Sequence, residues 1–69
     1  MANIEATTGG KFIVNVYTEA DVQRAFLRRA ASELGLILEF LPGFQRLTGP
    51  SYQLGNLLNE LDRVGVPLI

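Results

Sequence analysis

A helix-length amphipathic segment followed at once by an apolar strand most constrains the fold of this chain. The stretch TEADVQRAFLRRAASELG predicts a helix over residues 19–34. Thr18 and Asp21 have the spacing of a capping box, and Gly35 stands where a left-handed residue ends a helix. At about 100° per residue, one arc of this helix is apolar: Ala20, Phe26, Leu27, Ala30, Ala31 and Leu34. One face of the helix is therefore expected to pack on a sheet.

The next segment, LILEFL at residues 36–41, is apolar at both parities except at Glu39. This pattern is typical of a strand that is covered on both faces or of one that continues into a partner. A helix of about 16 residues is about 24 Å long, so it can run back along a sheet and deliver this strand parallel to the preceding one. We therefore predict a right-handed βαβ crossover. We expect Glu39 to face solvent or to pair with an arginine.

The N-terminal stretch NIEATTGGKFIVNVY reads as a β-hairpin. Gly9 and Gly10 offer the positive φ angles of a tight turn, and apolar residues alternate after Lys11. The first arm is short and polar. Residues 1–8 are therefore either the first hairpin strand or a flexible arm, and both alternatives stay open.

The segment FLPGFQRLTGPSY is rich in proline and glycine, which predicts a connection. We expect it to pack as a loop, with Phe44 and Leu47 turned into the core. A second helix is expected from Ser51, as its cap, to Val64, with a leucine stripe along one side. The predicted fold is thus an α/β (α+β) single domain over residues 1–69, in the order ββαβα, with about three strands, two helices and one βαβ crossover.

The residue types argue against catalysis. The chain has 69 residues with no cysteine and no histidine, which excludes disulfides, zinc sites and thiol chemistry. Its carboxylates have no metal-ligand spacing, and no nucleophile stands beside a base. We therefore expect no enzyme activity, no metal and no cofactor.

Positive charge is the basis of one alternative function. Arg24, Arg28 and Arg29 cluster on the first helix, and Arg46 precedes the second helix. Such a patch is able to meet nucleic acid or a phosphate ligand. With a net charge of −1, however, the chain lacks a general electrostatic attraction for nucleic acid. A solvated helix face is the expected interpretation, and we expect no nucleic-acid binding at physiological salt.

Self-association is the preferred interpretation. A 69-residue chain buries only about 60% of its unfolded surface, and residues 36–41 are too apolar for a long exposed edge. We expect a non-enzymatic protein-interaction or regulatory module that forms a homodimer or larger homo-oligomer and also serves a protein partner. The residues expected to carry self-association are Leu36, Leu38, Phe40, Leu57 and Leu61.

Location is predicted from what the chain lacks. Although 48% of the residues are hydrophobic, no apolar run approaches the roughly 20 residues of a membrane span. The start, MANIEATTGG, has no basic region followed by an apolar block. We therefore expect a cytoplasmic protein with no membrane partner.

Overall fold

The computed structural model describes residues 1–69 and shows a small α+β domain with two helices. In chain order, the elements are β1 (Ala2–Thr8), β2 (Lys11–Val16), α1 (Asp21–Leu34), β3 (Ile37–Leu41), β4 (Phe44–Pro50), a 3₁₀ turn (Ser51–Gln53) and α2 (Leu54–Arg63).

The sheet has four strands in the order β1-β2-β4-β3, and every neighbouring pair is antiparallel. The prediction of about three strands in the order ββαβα is therefore wrong, because the order is ββαββα. β3 does not lie beside β2, since β4 is inserted between them. The two strands still run parallel to each other, because each is antiparallel to β4. The crossover through α1 thus spans one intervening strand.

The additional strand is β4, which lies in the segment predicted to be a loop. Pro42 and Gly43 form a two-residue turn between paired Leu41 and Phe44, with Gly43 at φ 84°. The glycine supplies the positive φ that such a turn requires. β4 then alternates between half-buried and buried residues along its length. Leu47 faces the core as predicted, whereas Phe44 lies on the opposite face of the sheet.

The first hairpin is confirmed. Gly9 and Gly10 have φ 60° and 77°, and the strands on either side of them pair from Thr8 with Lys11 onward. Residues 1–8 therefore include a strand and are not a free arm. The register shifts between Ile4 and Ala6, which is a β-bulge in β1.

Both helices begin later than predicted. The N-cap of α1 is Ala20 with no side-chain cap, while the Thr18 hydroxyl accepts from the Ala20 N–H at 3.2 Å. Gly35 ends α1 in the left-handed region, as predicted, with φ 67°. Ser51 opens the 3₁₀ turn, and its side chain makes no cap.

The helices and one face of the sheet share a single core. The buried cluster joins residues from β1, β2, α1, β4, α2 and the C-terminal segment: Ala2, Phe12, Val14, Val16, Leu27, Ala31, Leu47, Leu57, Leu61 and Val66. The opposite face of the sheet carries no helix. After α2, Leu68 forms a parallel bridge with Ala2, which docks the C-terminal segment against β1.

Candidate functional site

The four arginines predicted to bind a ligand do not form one surface. Arg28 is exposed on α1, and its guanidinium carbon lies 5.2 Å from the centre of the Phe40 ring. Arg29 lines a cleft of about 330 Å³ beside Phe26 and Val64. Arg24 is half-buried, and its Nε has no hydrogen-bond partner. The α1 arginines therefore differ in their surroundings.

Arg46 lies on the face of the sheet opposite the helices, away from the other three arginines. Its Nη2 is 3.2 Å from Glu5 Oε2, and its Nε donates to Asn15 Oδ1 at 3.1 Å. The Asn15 amide in turn donates to the same Glu5 oxygen at 2.7 Å. Glu39 stands opposite Arg46 in the strand register, but Arg46 pairs with Glu5. Arg46 is thus already neutralised within the sheet.

The feature left without a partner is the β3 edge, which we define as the side of Ile37–Leu41 that faces away from β4. The Ser51 N–H donates to Gly10 C=O at 2.7 Å. Backbone groups in an antiparallel strand point alternately to one neighbour and the other. On β4, Gln45, Leu47 and Gly49 therefore point their N–H and C=O groups to β2, while the residues between them point to β3.

The same alternation gives the direction in which the backbone N–H and C=O groups of each β3 residue point. Because Phe44, Arg46 and Thr48 point to β3, their register partners Leu41, Glu39 and Ile37 point back to β4. The remaining residues of the strand, Leu38 and Phe40, point their N–H and C=O groups outward. No side chain bonds to these groups. The β3 edge therefore offers two free donors and two free acceptors.

The side chains of β3 add apolar surface beside these groups. Ile37 is 63% exposed and Phe40 is 52% exposed. Leu36 and Leu38 are half-buried and pack against the core cluster. The strand contains no proline, no bulge and a single charge, Glu39. It therefore lacks most of the devices by which proteins block an exposed edge.

The opposite edge of the sheet is protected at its start. The Ala2 N–H donates to Pro67 C=O at 2.8 Å, and the Ile69 N–H donates to Ala2 C=O at 2.8 Å. The bulge between Ile4 and Ala6 also breaks the regular spacing of β1. The start of β1 is thus covered and its spacing is interrupted, whereas β3 is regular and unpaired along its length.

The residues proposed for self-association divide into two groups. Leu38 and Phe40 lie at the β3 edge, and Leu36 immediately precedes it. Leu57 and Leu61 are 0% and 1% exposed within the core of the single chain, so they present no surface to a second copy. They are buried because the leucine stripe of α2 lies on one side of the helix and packs in the core between the helices and the sheet. Sequence reasoning missed Ile37, although its alternation with Leu38 was a readable signal.

Two other features offer less chemistry. A cleft of about 250 Å³ lies at the turn end of the sheet, and half of its lining residues are glycines, with Lys11 as its charged residue. No group of three or more acidic side chains is placed to hold a metal ion. Neither helix has the length and apolar character needed to cross a bilayer.

The fold and the site together define a small α+β domain whose antiparallel sheet is covered on one face and ends in a regular, unpaired β3 edge. Comparison with protein-family models, curated proteins and solved structures gives no match.

Proposed function

We propose that this chain is a non-enzymatic interaction module that self-associates through the β3 edge. The observation that supports this most is the contrast between the two edges of the sheet. β1 is capped at Ala2 by the C-terminal segment and interrupted by a bulge, whereas Leu38 and Phe40 keep free backbone groups on a regular strand. An unpaired, regular and apolar edge strand is a template for another strand. A second copy of this chain supplies such a strand.

The edge contrast also favours a closed dimer. Pairing β3 of one copy with β1 of the next would generate an open-ended array, because each copy would keep one free edge. The tail on Ala2 and the bulge after Ile4 obstruct that arrangement. Pairing of β3 with β3 across a two-fold axis uses, on both copies, the edge that neither a tail nor a bulge obstructs. It therefore stops at two chains.

The dimer is expected to be weak. β3 has five residues, and an edge of this length buries less area than the roughly 800 Å² per partner of a standard interface. The apolar contribution comes from Ile37 and Phe40, which are more than half exposed in the single chain. We therefore expect a dissociation constant in about the micromolar range and a reversible equilibrium. A reversible edge also suits regulation by a competing strand from a protein partner.

Sedimentation equilibrium of synthetic full-length chains tests the proposal. N-methylation of Phe40 removes one outward donor and keeps the side chain. It should weaken the dimer at least about tenfold, because a donor is lost in each copy and a methyl group obstructs the seam. N-methylation of Thr7 is the matched control. Thr8 pairs with Lys11 next to the hairpin turn. Because backbone groups alternate in direction along a strand, the N–H of the preceding residue, Thr7, points away from β2.

The expected pattern is a native dimer, a largely monomeric N-methyl-Phe40 chain and a native-like N-methyl-Thr7 chain. Circular dichroism checks that all of them fold. A folded native chain with a mass near 7.6 kDa up to high micromolar concentration would contradict self-association. Equal weakening by both methyl groups would contradict the assignment of the interface to β3.

A further inference from the structure

We infer that the two β3 strands pair in one particular register, with Leu38 of each copy on the two-fold axis. This inference rests on the proposed self-association and specifies its geometry. A two-fold axis perpendicular to the sheet keeps the helices of both copies on the same side, so residues of equal parity stand opposite each other. The axis then passes through Leu38, Glu39 or Phe40.

The register centred on Glu39 is opposed by charge. It pairs Leu38 with the partner's Phe40 and satisfies their outward backbone groups. However, it places Glu39 directly opposite the partner's Glu39 in a non-hydrogen-bonded pair, where Cα atoms are about 4.5 Å apart. Like charges directly opposite each other destabilise a strand pair. Arg46, the closest arginine in the register, is already paired with Glu5 and does not relieve the repulsion.

The register centred on Phe40 is opposed by the turn and by α1. It would place Leu38 opposite the partner's Pro42, which has no N–H to donate. It would also place Phe40 against the partner's Phe40. Since Arg28 lies 5.2 Å from the centre of the Phe40 ring, the two Arg28 guanidinium groups would meet at the seam. In this register Leu38 C=O loses a donor, and the two positively charged Arg28 side chains repel each other.

The register centred on Leu38 avoids both like-charge contacts, the one between the Glu39 residues and the one between the Arg28 residues. Leu38 exchanges both backbone bonds with the partner's Leu38, and the Phe40 N–H donates to C=O of the partner's Leu36. The Leu36 N–H already donates to Ala31 C=O at 2.8 Å, so the Phe40 C=O has no donor from the partner in this register, and the number of bonds at the seam equals that of the register centred on Phe40. Ile37 then stands opposite the partner's Glu39. The two Glu39 residues are diagonal neighbours, roughly 7–8 Å apart.

Cysteine cross-linking of the full chain distinguishes these registers, since the native sequence contains no cysteine. Leu38→Cys reports the register centred on Leu38, because its two copies are about 5.5 Å apart there. The double variant Ile37→Cys with Leu41→Cys reports the register centred on Glu39, in which these two positions stand opposite each other. Phe40→Cys reports the third register. All three reporters keep Glu39.

After mild oxidation, Leu38→Cys should give at least about tenfold more covalent dimer than either other reporter, since Cα atoms beyond about 7 Å do not form a disulfide. Preferential cross-linking by another reporter would overturn the inference. A native chain that sediments as a monomer would instead overturn the proposed function.

Because Leu38 is half-buried, a second measurement avoids its substitution. Glu39→Gln should change the dissociation constant by less than about threefold in the inferred register, because Glu39 does not face its own copy there. Tightening of the dimer by about tenfold would show direct Glu39–Glu39 repulsion and overturn the inference. Sedimentation of Glu39→Gln beside the native chain provides this test.

Discussion

Leu47 and Phe44 are three residues apart on β4 and point to opposite faces of the sheet. Strand side chains alternate with a period of two, so two positions separated by three cannot both face the core. Leu47 is fully buried, whereas Phe44 is half-buried on the open face, with its ring centre 5.3 Å from that of Tyr17. The expectation that both turn inward fails for this reason.

Substitution of these two residues should have unequal effects on stability. Leu47→Ala leaves a cavity in the core and should reduce the free energy of unfolding by about 2–5 kcal/mol. Phe44→Ala removes the contact between the Phe44 and Tyr17 rings, which is worth about 0.5–1.5 kcal/mol beyond the buried area. Because Phe44 is only half-buried, we expect a smaller loss of stability than for Leu47→Ala. Urea denaturation followed by circular dichroism measures both. A larger loss for Phe44→Ala would contradict the assignment of the two faces.

At the scale of the element, the C-terminal segment pairs with the start of β1 at Ala2. Deletion of residues 68–69 removes the Ile69 N–H bond to Ala2 and the Leu68 bridge. We expect a loss of about 0.5–1.5 kcal/mol in stability from the missing hydrogen bond. We also expect species larger than dimers, because β1 then becomes available to β3 of another copy.

Ile69→Ala is the matched control for this deletion. It keeps the backbone bond and trims a side chain that is 77% exposed, so it should sediment like the native chain. Light scattering across a concentration series measures both variants. A truncated chain that stays dimeric at every concentration would show that the segment does not protect the edge.

At the scale of the whole molecule, the distribution of charge argues against nucleic-acid binding. The net charge is −1, and Arg46 is separated by the sheet from the arginines of α1. Affinity for nucleic acid depends on several phosphate contacts made together and falls steeply with salt. We expect no measurable binding of single-stranded or duplex nucleic acid at about 0.15 M salt. Fluorescence anisotropy with labelled oligonucleotides checks this.

The double variant Arg28→Glu with Arg29→Glu completes that experiment. If the native chain showed micromolar, salt-sensitive binding that this variant lost, the arginines of α1 would be a genuine phosphate site. Identical flat titrations for both chains are the expected result.

The sequence by itself determined the local structure. Gly9 and Gly10 specify a hairpin turn, Gly35 ends α1, and the leucine spacing of α2 specifies an apolar stripe, because each depends on backbone conformation or periodicity within a few residues. Burial of Leu57 and Leu61 within the single chain followed only from the structure. It also showed that residues 36–41 are unusually apolar for an exposed strand. These features allowed the α+β class, both helices and part of the β3 edge to be predicted.

Only the tertiary structure decided which strands are neighbours and which edge stays open. The alternation of β4 was hidden in the sequence by two prolines and two glycines within residues 42–50, whose turn chemistry resembles that of a loop. The insertion of β4 between β2 and β3 depends on pairing between distant residues, such as Val14 with Leu47. Protection of β1 similarly requires Ala2 to meet Pro67 and Ile69. Such contacts arise from packing of the whole chain, and no local pattern encodes them.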